Sequence, residues 1–258
     1  MVIKNHPIII GLCGNAGSGK TSVAEKIVPK GSMQFVSSDT KWDHIFYSLP
    51  LYEMASVKKN IKGQRENSRK LFALHEILYD VYGGCSIGNV PDYPDFINLV
   101  NEINALPIES EDIKPRKFLQ NAGDLCRKFD ENCLSNWAIN KAKKIYIETF
   151  RSSEELKDQN LIVLISDVRY LNEAYQILKQ PNGHVLYFDA TQETLNERLL
   201  KRDGKIMSQN EISHSSEKEV SQIKNIASAI ISTNNLSLEE QTEKTISIIN
   251  KIKEGTNA

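Results

Sequence analysis

The sequence predicts an α/β fold in which helices cover both faces of a parallel β-sheet, giving three layers. Three observations lead to this prediction: short apolar runs rich in β-branched residues, longer helical patterns between them, and a glycine-rich loop after the first run. A strand that is apolar on both faces is typical of a parallel sheet buried between helices. The alternation of strands with helices is typical of βαβ units.

Five apolar runs have the length of strands. They are Ile8–Leu12, Gln34–Ser37, Leu161–Ser166, His184–Asp189 and Ala229–Ser232. We therefore expect a five-stranded parallel sheet whose strands are joined by right-handed crossovers. The last helix is expected to begin at a capping box formed by Ser237 and Glu240, and an earlier helix at a box formed by Ser216 and Glu219.

The segment from residue 40 to residue 150 interrupts this alternation. It contains no convincing strand, and we expect helices over Glu66–Tyr82, Pro115–Phe129 and Asn136–Phe150, with a loop over Gly83–Asp95 where glycine and proline cluster. We therefore predict a single domain, residues 1–258, with a core of residues 1–39 and 160–258. The helical insertion, about 40–150, lies between strands two and three and is expected to shape a substrate site; a layer that only packs is the alternative.

Composition and charge exclude several classes of protein. The 258 residues include 32 Lys and Arg against 33 Asp and Glu, so a strongly basic nucleic-acid-binding or membrane-surface protein is not expected. No apolar run approaches the ~20 residues that span a bilayer, and no signal-peptide pattern begins the chain. The four cysteines form no CxxC pattern, which favours reduced, buried thiols and a cytoplasmic location.

Residues 14–21 match the phosphate-binding pattern GxxxxGK[ST] at every fixed position. The segment follows the first predicted strand, opens a helix and reads Gly14-Asn15-Ala16-Gly17-Ser18-Gly19-Lys20-Thr21. Glycines let successive backbone N–H groups turn toward phosphate oxygens, and the helix N-terminus favours an anion. Lys20 is expected to bind the β- and γ-phosphates and Thr21 to ligate Mg²⁺, so the loop predicts ATP or GTP binding; a glycine-rich turn without a ligand is the alternative.

Two carboxylates are predicted to follow strands at the ligand-binding edge of the sheet. Asp39 follows strand two and Asp167 follows strand three, and ligands of open α/β sheets bind beyond the carboxyl ends of strands. Either residue could hold Mg²⁺ through water or accept a proton. A helix N-cap is the competing role, above all for Asp39, because a helical pattern follows it.

Two arginines are spaced for a phosphate. Arg198 and Arg202 lie four residues apart on the helix after strand four, with no acid between them, so a bound triphosphate would relieve their repulsion. Gly204 is expected to end this helix, and the polar residues up to His214 resemble a mobile lid, about 198–216. Two solvated surface arginines are the alternative.

Three residues of the insertion share one predicted helix face. Arg116 and Gln120 are four residues apart, and Arg127 lies eleven residues after Arg116. The Gln120 amide could bind the edge of a base. Taken alone, all three are ordinary surface residues.

Several segments in this order resemble the phage-type deoxynucleoside monophosphate kinases. After the P-loop they are Lys114-Pro115-Arg116-x-x-Leu119-Gln120-x-x-Gly123-x-x-x-Arg127, Ser166-Asp167-Val168-Arg169-Tyr170-Leu171-Asn172-Glu173-Ala174, Arg198-x-x-x-Arg202, His214-Ser215-Ser216-Glu217 and Ile231-Ser232-Thr233-Asn234-Asn235. The resemblance runs from about Ile8 to Ile249. It implies the fold of nucleoside monophosphate kinases and transfer of the γ-phosphate of ATP to a deoxynucleoside monophosphate.

The resemblance also implies roles for individual residues. Lys20 and Thr21 would hold the triphosphate and Mg²⁺, and lid residues Arg198 and Arg202 would stabilise the transferring phosphoryl group. Asn234 or Asn235 would lie near the adenine. Arg116, Gln120, Arg127 and Arg169 would bind the phosphate and base of the acceptor. Glu173 would orient Arg169 by an ion pair. The other residues expected on the acceptor side are Asp39, Lys41, Asp167 and Glu217.

Three segments depart from the family pattern and leave the base preference open. Where the family has a Gly-Thr pair followed by an acid, this chain has Gly123-Asp124-Leu125-Cys126-Arg127. Where the family has a glutamate before the last Ser-Glu pair, it has Ser215. Where the family has an apolar-Pro-Leu-Lys run, it has Asp39-Thr40-Lys41-Trp42. The family pairs through helices in many members, so a homodimer is compatible with the sequence, although no residue points to it.

Two other functions fit parts of the pattern. A dephospho-coenzyme A kinase would use Asp39 as the base for a ribose hydroxyl, and phosphomevalonate kinase has similar general features. A nucleotide-dependent switch protein would bind ATP without phosphorylating a metabolite. The helical motif of the insertion argues against the first of these, and the lack of an Asn-Lys-x-Asp base motif argues against the last.

Overall fold

The computed structural model describes residues 6–29, 34–37, 40–60, 66–83, 91–108, 115–150, 159–207 and 215–255, without the side chains of residues 34–37, 66 and 215–218. The chain divides into two units. The first comprises Met1–Phe46 with Lys141–Ala258, and the second is Tyr47–Asn140.

Strands of the first unit form one sheet. They are β1 (Ile8–Cys13), β2 (Gln34–Ser37), β3 (Thr40–Ile45), β4 (Asn160–Val168), β5 (Gly183–Asp189) and β6 (Ala229–Ser232). The sheet order is β2-β3-β4-β1-β5-β6, and every neighbouring pair except β2–β3 is parallel. The five parallel strands therefore follow the order 2-3-1-4-5 in chain numbering. This confirms the predicted α/β fold with a five-stranded parallel sheet, typical of three-layer P-loop proteins.

The second parallel strand lies later in the chain than the sequence indicated. Gln34–Ser37 pairs antiparallel with β3, and β3 pairs parallel with β4 from Thr40↔Asn160 to Ile45↔Ile165. The prediction that Gln34–Ser37 is a parallel strand, and that no strand follows Thr40, is therefore wrong. The reason is that Lys41, Asp43 and His44 break the apolar pattern of β3, although Lys41 and His44 are buried in the folded chain.

Helices of the described residues begin and end as follows. They are α1 (Lys20–Ile27), α2 (Leu49–Asn60), α3 (Glu66–Gly83), α4 (Tyr93–Ala105), α5 (Arg116–Arg127), α6 (Cys133–Phe150), α7 (Leu171–Leu178), α8 (Gln192–Asp203), α9 (Ser215–Ile223) and α10 (Leu238–Glu254). None of these helices is long and apolar enough to cross a bilayer. The three helices expected in the insertion are confirmed as α3, α5 and α6.

Helices cover both faces of the sheet in the first unit. On one face, Val23 of α1 and Ile249 of α10 join the apolar core formed with Ile10 and Leu164. On the other face α7 packs against β1, since a Cβ on Gly11 would stand 2.6 Å from the Ile177 side chain. Because side chains alternate along a strand, Ile10 and Gly11 must face opposite layers.

The second unit contains α2 to α5 and the first residues of α6. Buried apolar side chains from all of these helices form its interior; among them are Leu51, Met54, Leu74, Leu78, Leu99, Ile103, Phe118 and Trp137. Two hydrogen bonds add specific links: Tyr82 donates to the Cys126 carbonyl at 2.6 Å and Trp137 Nε1 to Asp80 Oδ2 at 2.8 Å. The predicted loop over Gly83–Asp95 is too long, because α4 begins at Tyr93 with a proline in its first turn, where proline is favoured.

Candidate phosphate-binding site

The P-loop joins the carboxyl end of β1 to the start of α1. The backbone φ angles of Gly14, Gly17 and Gly19 are 145°, 88° and 96°, a region that residues other than glycine rarely adopt. A Cβ at Gly14 would also stand 2.6 Å from the Phe188 carbonyl oxygen. Both backbone geometry and space therefore require glycine where the sequence pattern has it.

The ammonium group of Lys20 reaches back across this loop. Its Nζ donates to the carbonyl of Gly14 at 2.7 Å and to that of Asn15 at 3.3 Å, and the side chain is 5% exposed. A buried ammonium needs such acceptors because desolvation of an unpaired charge is costly. The charge is thereby held against the loop, where a phosphate ligand would meet it.

The N-terminus of α1 has no capping side chain. Its N-cap is Gly19, which makes no side-chain cap hydrogen bond, and the first turn has no acidic residue. In contrast, α10 begins at the predicted capping box, in which the Ser237 N–H donates to Glu240 Oε2 at 2.7 Å. The uncompensated positive end of α1 therefore favours an anion. Thr21 lies in this first turn and is half-buried.

Arg198 of α8 connects the P-loop to the residues after β6. Its Nη1 donates to the Ser18 carbonyl at 3.4 Å and to Thr233 Oγ1 at 3.1 Å, and its Nη2 donates to the Thr233 carbonyl at 2.6 Å. Partial burial lowers the pKa of Arg198 from its ordinary value. The structure thus brings the predicted lid arginine to the P-loop through backbone contacts.

Arg202 lies one turn further along α8 and has a different partner. Its Nε and Nη2 each donate to the Asp203 carboxylate at 2.7 Å. Asp203 therefore compensates the charge of Arg202, and the prediction that Arg198 and Arg202 repel each other without relief is wrong. Gly204 follows with a φ of 69° and ends the helix as predicted.

Asn234 and Asn235 follow directly after Thr233. Asn234 Oδ1 accepts a hydrogen bond from the Thr191 N–H at 2.8 Å, which joins this segment to the start of α8. Asn235 has a φ of 57°, a conformation that asparagine tolerates better than most residues. Their predicted position near the adenine stays a prediction.

Asp167 and Glu173 lie at the carboxyl end of β4. Cys13 pairs with Val168, so Asp167 lies at the edge of the sheet where the P-loop begins, as predicted. Glu173 is buried, and its Oε2 accepts from the N–H groups of Arg169 at 2.9 Å and Tyr170 at 3.2 Å. Glu173 therefore fixes the backbone at Arg169; an ion pair between their side chains stays a prediction.

Glu219 of α9 also binds the start of α7. Its Oε2 accepts from the Leu171 N–H at 3.1 Å. The expected box with Ser216 and the predicted role of Glu217 involve side chains outside those that the structure describes.

Lys41 does not lie at the P-loop edge of the sheet. It pairs with Leu161 near the amino end of β4, and its Nζ stands 6.0 Å from the centre of the Phe150 ring. At about 3.3 Å per residue, this is roughly 20 Å from the P-loop along the strands. Lys41 is therefore not brought to the P-loop, and its contribution to an acceptor site stays a prediction.

Asp39 itself lies outside the described residues. The reason for placing it at the P-loop edge was that strand two would be parallel. Since β2 is antiparallel, Ser37 and Thr40 lie at the amino ends of the parallel strands, so this reason is wrong.

The predicted acceptor residues of α5 occupy one face of that helix in the second unit. Arg116, Gln120 and Arg127 are half-buried and fall within about 40° of arc around the helix axis. Gly123 lies on the same face, and a Cβ there would stand 2.7 Å from Arg127 Nη1. The Arg127 guanidinium therefore lies over Gly123, which explains the glycine in the motif.

Sequence reasoning missed Gln241, and it assigned no role to Thr233, although Thr233 lies in a segment that carries the family resemblance. Both are buried; Gln241 Nε2 donates to the Leu236 carbonyl at 2.9 Å, and a Cβ at Gly19 would collide with its Oε1. The signal in the sequence that could have identified them is that Thr233 and Gln241 are polar residues next to residues that are predicted to be buried.

No group of three or more His, Cys, Asp or Glu side chains in the described ranges is arranged to hold a metal ion. Mg²⁺ does not require such a cage, because it is usually bound by one or two protein oxygens together with substrate phosphates. The Thr21 hydroxyl and the Asp167 carboxylate suit that kind of coordination.

Comparisons with known proteins give little more. No family model matches the chain. No curated protein matches it. Among solved structures the chain is similar to the crystal structure of TT1252 from Thermus thermophilus, at 18% identity and a TM-score of 0.42, over 95% of this chain and 97% of that chain. This similarity is too low to bear on function.

Proposed function

We propose that this protein is an ATP-dependent kinase that transfers the γ-phosphate of ATP to a deoxynucleoside 5′-monophosphate. The observation that carries the proposal is the P-loop, with three glycines at positive φ, the Lys20 ammonium folded over the loop, and an uncapped helix behind it. These features together are what a bound polyphosphate requires. The motif resemblance of α5 and of the segment after β4 supports the choice of acceptor.

The ATP side of the mechanism follows from these groups. Backbone N–H groups of the loop and Lys20 would bind the β- and γ-phosphates, and Thr21 and Asp167 would hold Mg²⁺. When bound, Mg²⁺ would neutralise charge on the β- and γ-phosphate oxygens. The N–H dipoles of the loop are held in place by the fold, so they would stabilise the charge that develops on the phosphate oxygens in the transition state without having to reorient.

The acceptor side requires little proton chemistry. An oxygen of the acceptor phosphate forms a bond to the γ-phosphorus, while the bond from that phosphorus to the β–γ bridging oxygen breaks, giving ADP and a nucleoside diphosphate. The attacking oxygen is already ionised, so the main task is to offset repulsion between two anions. Arg116, Arg127 and Arg169 would neutralise the acceptor phosphate, Gln120 would bind its base, and Arg202 would stabilise the transferring group.

The near-neutral net charge favours a small-molecule partner over nucleic acid. We keep a cytoplasmic location as part of the same proposal, since reduced thiols and soluble nucleotides belong to that compartment.

A coupled assay of ADP release tests the proposal. Mg-ATP is combined with each of the four deoxynucleoside monophosphates, their ribonucleotide counterparts and dephospho-coenzyme A, with the Lys20→Ala variant as the control for contaminating kinases. We expect fast turnover with at least one deoxynucleotide and none with dephospho-coenzyme A. Turnover on dephospho-coenzyme A alone would instead place a ribose hydroxyl as the acceptor. ATP binding without turnover on any acceptor would favour a switch protein and contradict the proposal.

A further inference from the structure

Arg198 holds the peptide of the P-loop that joins Ser18 to Gly19. Its guanidinium donates to the Ser18 carbonyl and, on the other side, to both oxygens of Thr233. In a planar trans peptide the C=O of one residue and the N–H of the next point in opposite directions. Since the Ser18 carbonyl is directed at Arg198, the Gly19 N–H is directed away from it.

A phosphate bound in the P-loop would need the Gly19 N–H as a hydrogen-bond donor. This N–H precedes Lys20 at the N-terminus of α1, and within the described part of the chain no residue accepts from it. Successive N–H groups in such a turn form the concavity that binds an anion. The direction of this one N–H is coupled to Arg198 through a single rigid peptide.

Thr233 makes Arg198 a fixed support. The threonine is fully buried, and its N–H and Oγ1 both donate to the Asp189 carbonyl, at 2.8 and 3.2 Å. It therefore belongs to the framework of β5 and β6, and it accepts two hydrogen bonds from the guanidinium. Gln241 restrains Gly19 from a second side, because its Oε1 lies where a Cβ would be.

We propose that Arg198 and Thr233 are positioning residues that hold the Gly19 N–H toward the phosphate. This inference rests on the proposed function only in that the P-loop binds the polyphosphate of a nucleotide. It differs from the role that the family resemblance implies for Arg198, in which the arginine touches the transferring phosphoryl group. A positioning role lowers affinity for any polyphosphate, whereas a transfer role lowers kcat and leaves affinity unchanged.

The experiment measures binding of inorganic tripolyphosphate by calorimetry. This probe has no base or ribose, so it reports on the P-loop alone. We expect Arg198→Ala to weaken binding about ten- to hundredfold and Thr233→Val about three- to tenfold, as for the loss of charge-assisted hydrogen bonds. Arg198→Lys should restore part of the loss. Lys201→Ala, which removes an exposed charge from the same helix, should stay within about twofold.

A double variant tests whether the two residues act as one unit. Arg198→Ala combined with Thr233→Val should bind no more weakly than Arg198→Ala, because Thr233 acts through the arginine. Additive losses would overturn the proposal. Wild-type affinity in Arg198→Ala with a reduced kcat on ATP would overturn it as well, and would assign Arg198 to transfer.

Two further outcomes keep the test decisive. If Arg198→Ala does not fold, Thr233→Val alone decides: weaker tripolyphosphate binding supports the proposal and unchanged binding overturns it. If the wild type itself does not bind tripolyphosphate, the proposed function fails together with this inference. Binding by the wild type with equal binding by both variants overturns the inference only.

Discussion

The two candidate binding regions present different chemical groups. The P-loop presents backbone N–H groups whose directions depend on three positive φ angles and on contacts such as Arg198 to the Ser18 carbonyl. The α5 face presents the side chains of Arg116, Gln120 and Arg127 on a regular helix. Backbone groups recognise only what all nucleotides share, the phosphates. Side chains on a helix can be exchanged without refolding the chain, so they are suited to choosing among acceptors.

The largest effect is expected at the P-loop, from Lys20→Ala. Loss of the ammonium that is proposed to bind the phosphates should lower turnover by about a thousandfold or more, as for removal of a major charge-stabilising group. Lys26→Ala, on the same helix but exposed, is the control and should keep near wild-type rate. Initial-rate measurement of ADP release gives both values. A Lys20→Ala rate above one tenth of the wild type would remove the basis for treating the loop as catalytic.

Arg202→Ala should have the next largest effect. The arginine is half-exposed and pairs with Asp203, and in the proposed reaction it would turn to the transferring phosphoryl group. We expect the transfer rate to fall by about a hundred- to a thousandfold, with ATP affinity changed less than about threefold. Single-turnover kinetics and ATP titration separate the two quantities. Full rate in this variant would show that the arginine has no part in transfer.

Arg127→Ala tests the other region. If this guanidinium binds the acceptor as proposed, its removal should raise the KM for the deoxynucleotide about ten- to hundredfold and leave the KM for ATP within about twofold. Lys117→Ala, an exposed residue of the same helix, is the matched control. Steady-state kinetics with each substrate varied in turn provides the measurement. An equal rise in both KM values would contradict the assignment of the two regions to different ligands.

The smallest effect concerns one thiol from each unit. Burial raises the pKa of Cys13 and of Cys126 to about 12 in both cases. At pH 8 only about one thiol in ten thousand is then ionised, against roughly a quarter for a free cysteine. We expect iodoacetamide to leave Cys13 and Cys126 unmodified in the folded protein and to alkylate both completely in urea. Peptide mass spectrometry measures the extent of alkylation at each cysteine. Labelling of one thiol without the other would show which unit opens more readily.

The sequence predicted what depends on local residues. The P-loop is determined by glycine spacing within eight positions, and its positive φ angles and the start of α1 appear where the motif placed them. The strand β3 was not predicted because Lys41 and His44 are polar. The Nε2 of His44 lies 2.7 Å from the hydroxyl of Ser166, a residue far along the chain. Burial of such residues depends on partners that sequence periodicity does not reveal.

The same limit applies within the candidate site. Arg198 was found from its spacing to Arg202, but its partners Ser18 and Thr233 are 180 and 35 residues away. Glu173 was predicted to pair with the Arg169 side chain, which stays a prediction, and its hydrogen bonds with the backbone of Arg169 and Tyr170 were not foreseen. Residue types were therefore predictable, whereas the contacts that orient them required the fold.

The N-termini of α7 and α1 differ in their hydrogen-bond acceptors, and this difference couples the stability of the fold to the concentration of a ligand. The start of α7 is bound by the carboxylates of Glu173 and Glu219, whereas α1 begins at Gly19 with no side-chain acceptor. A phosphate-bearing ligand at the proposed site would cap the N-terminus of α1. Its binding would then stabilise the folded state, and at about a hundred times its dissociation constant it would add ~2.7 kcal/mol to the free energy of unfolding. The cell's nucleotide level would thus help to set how long each copy of the protein survives.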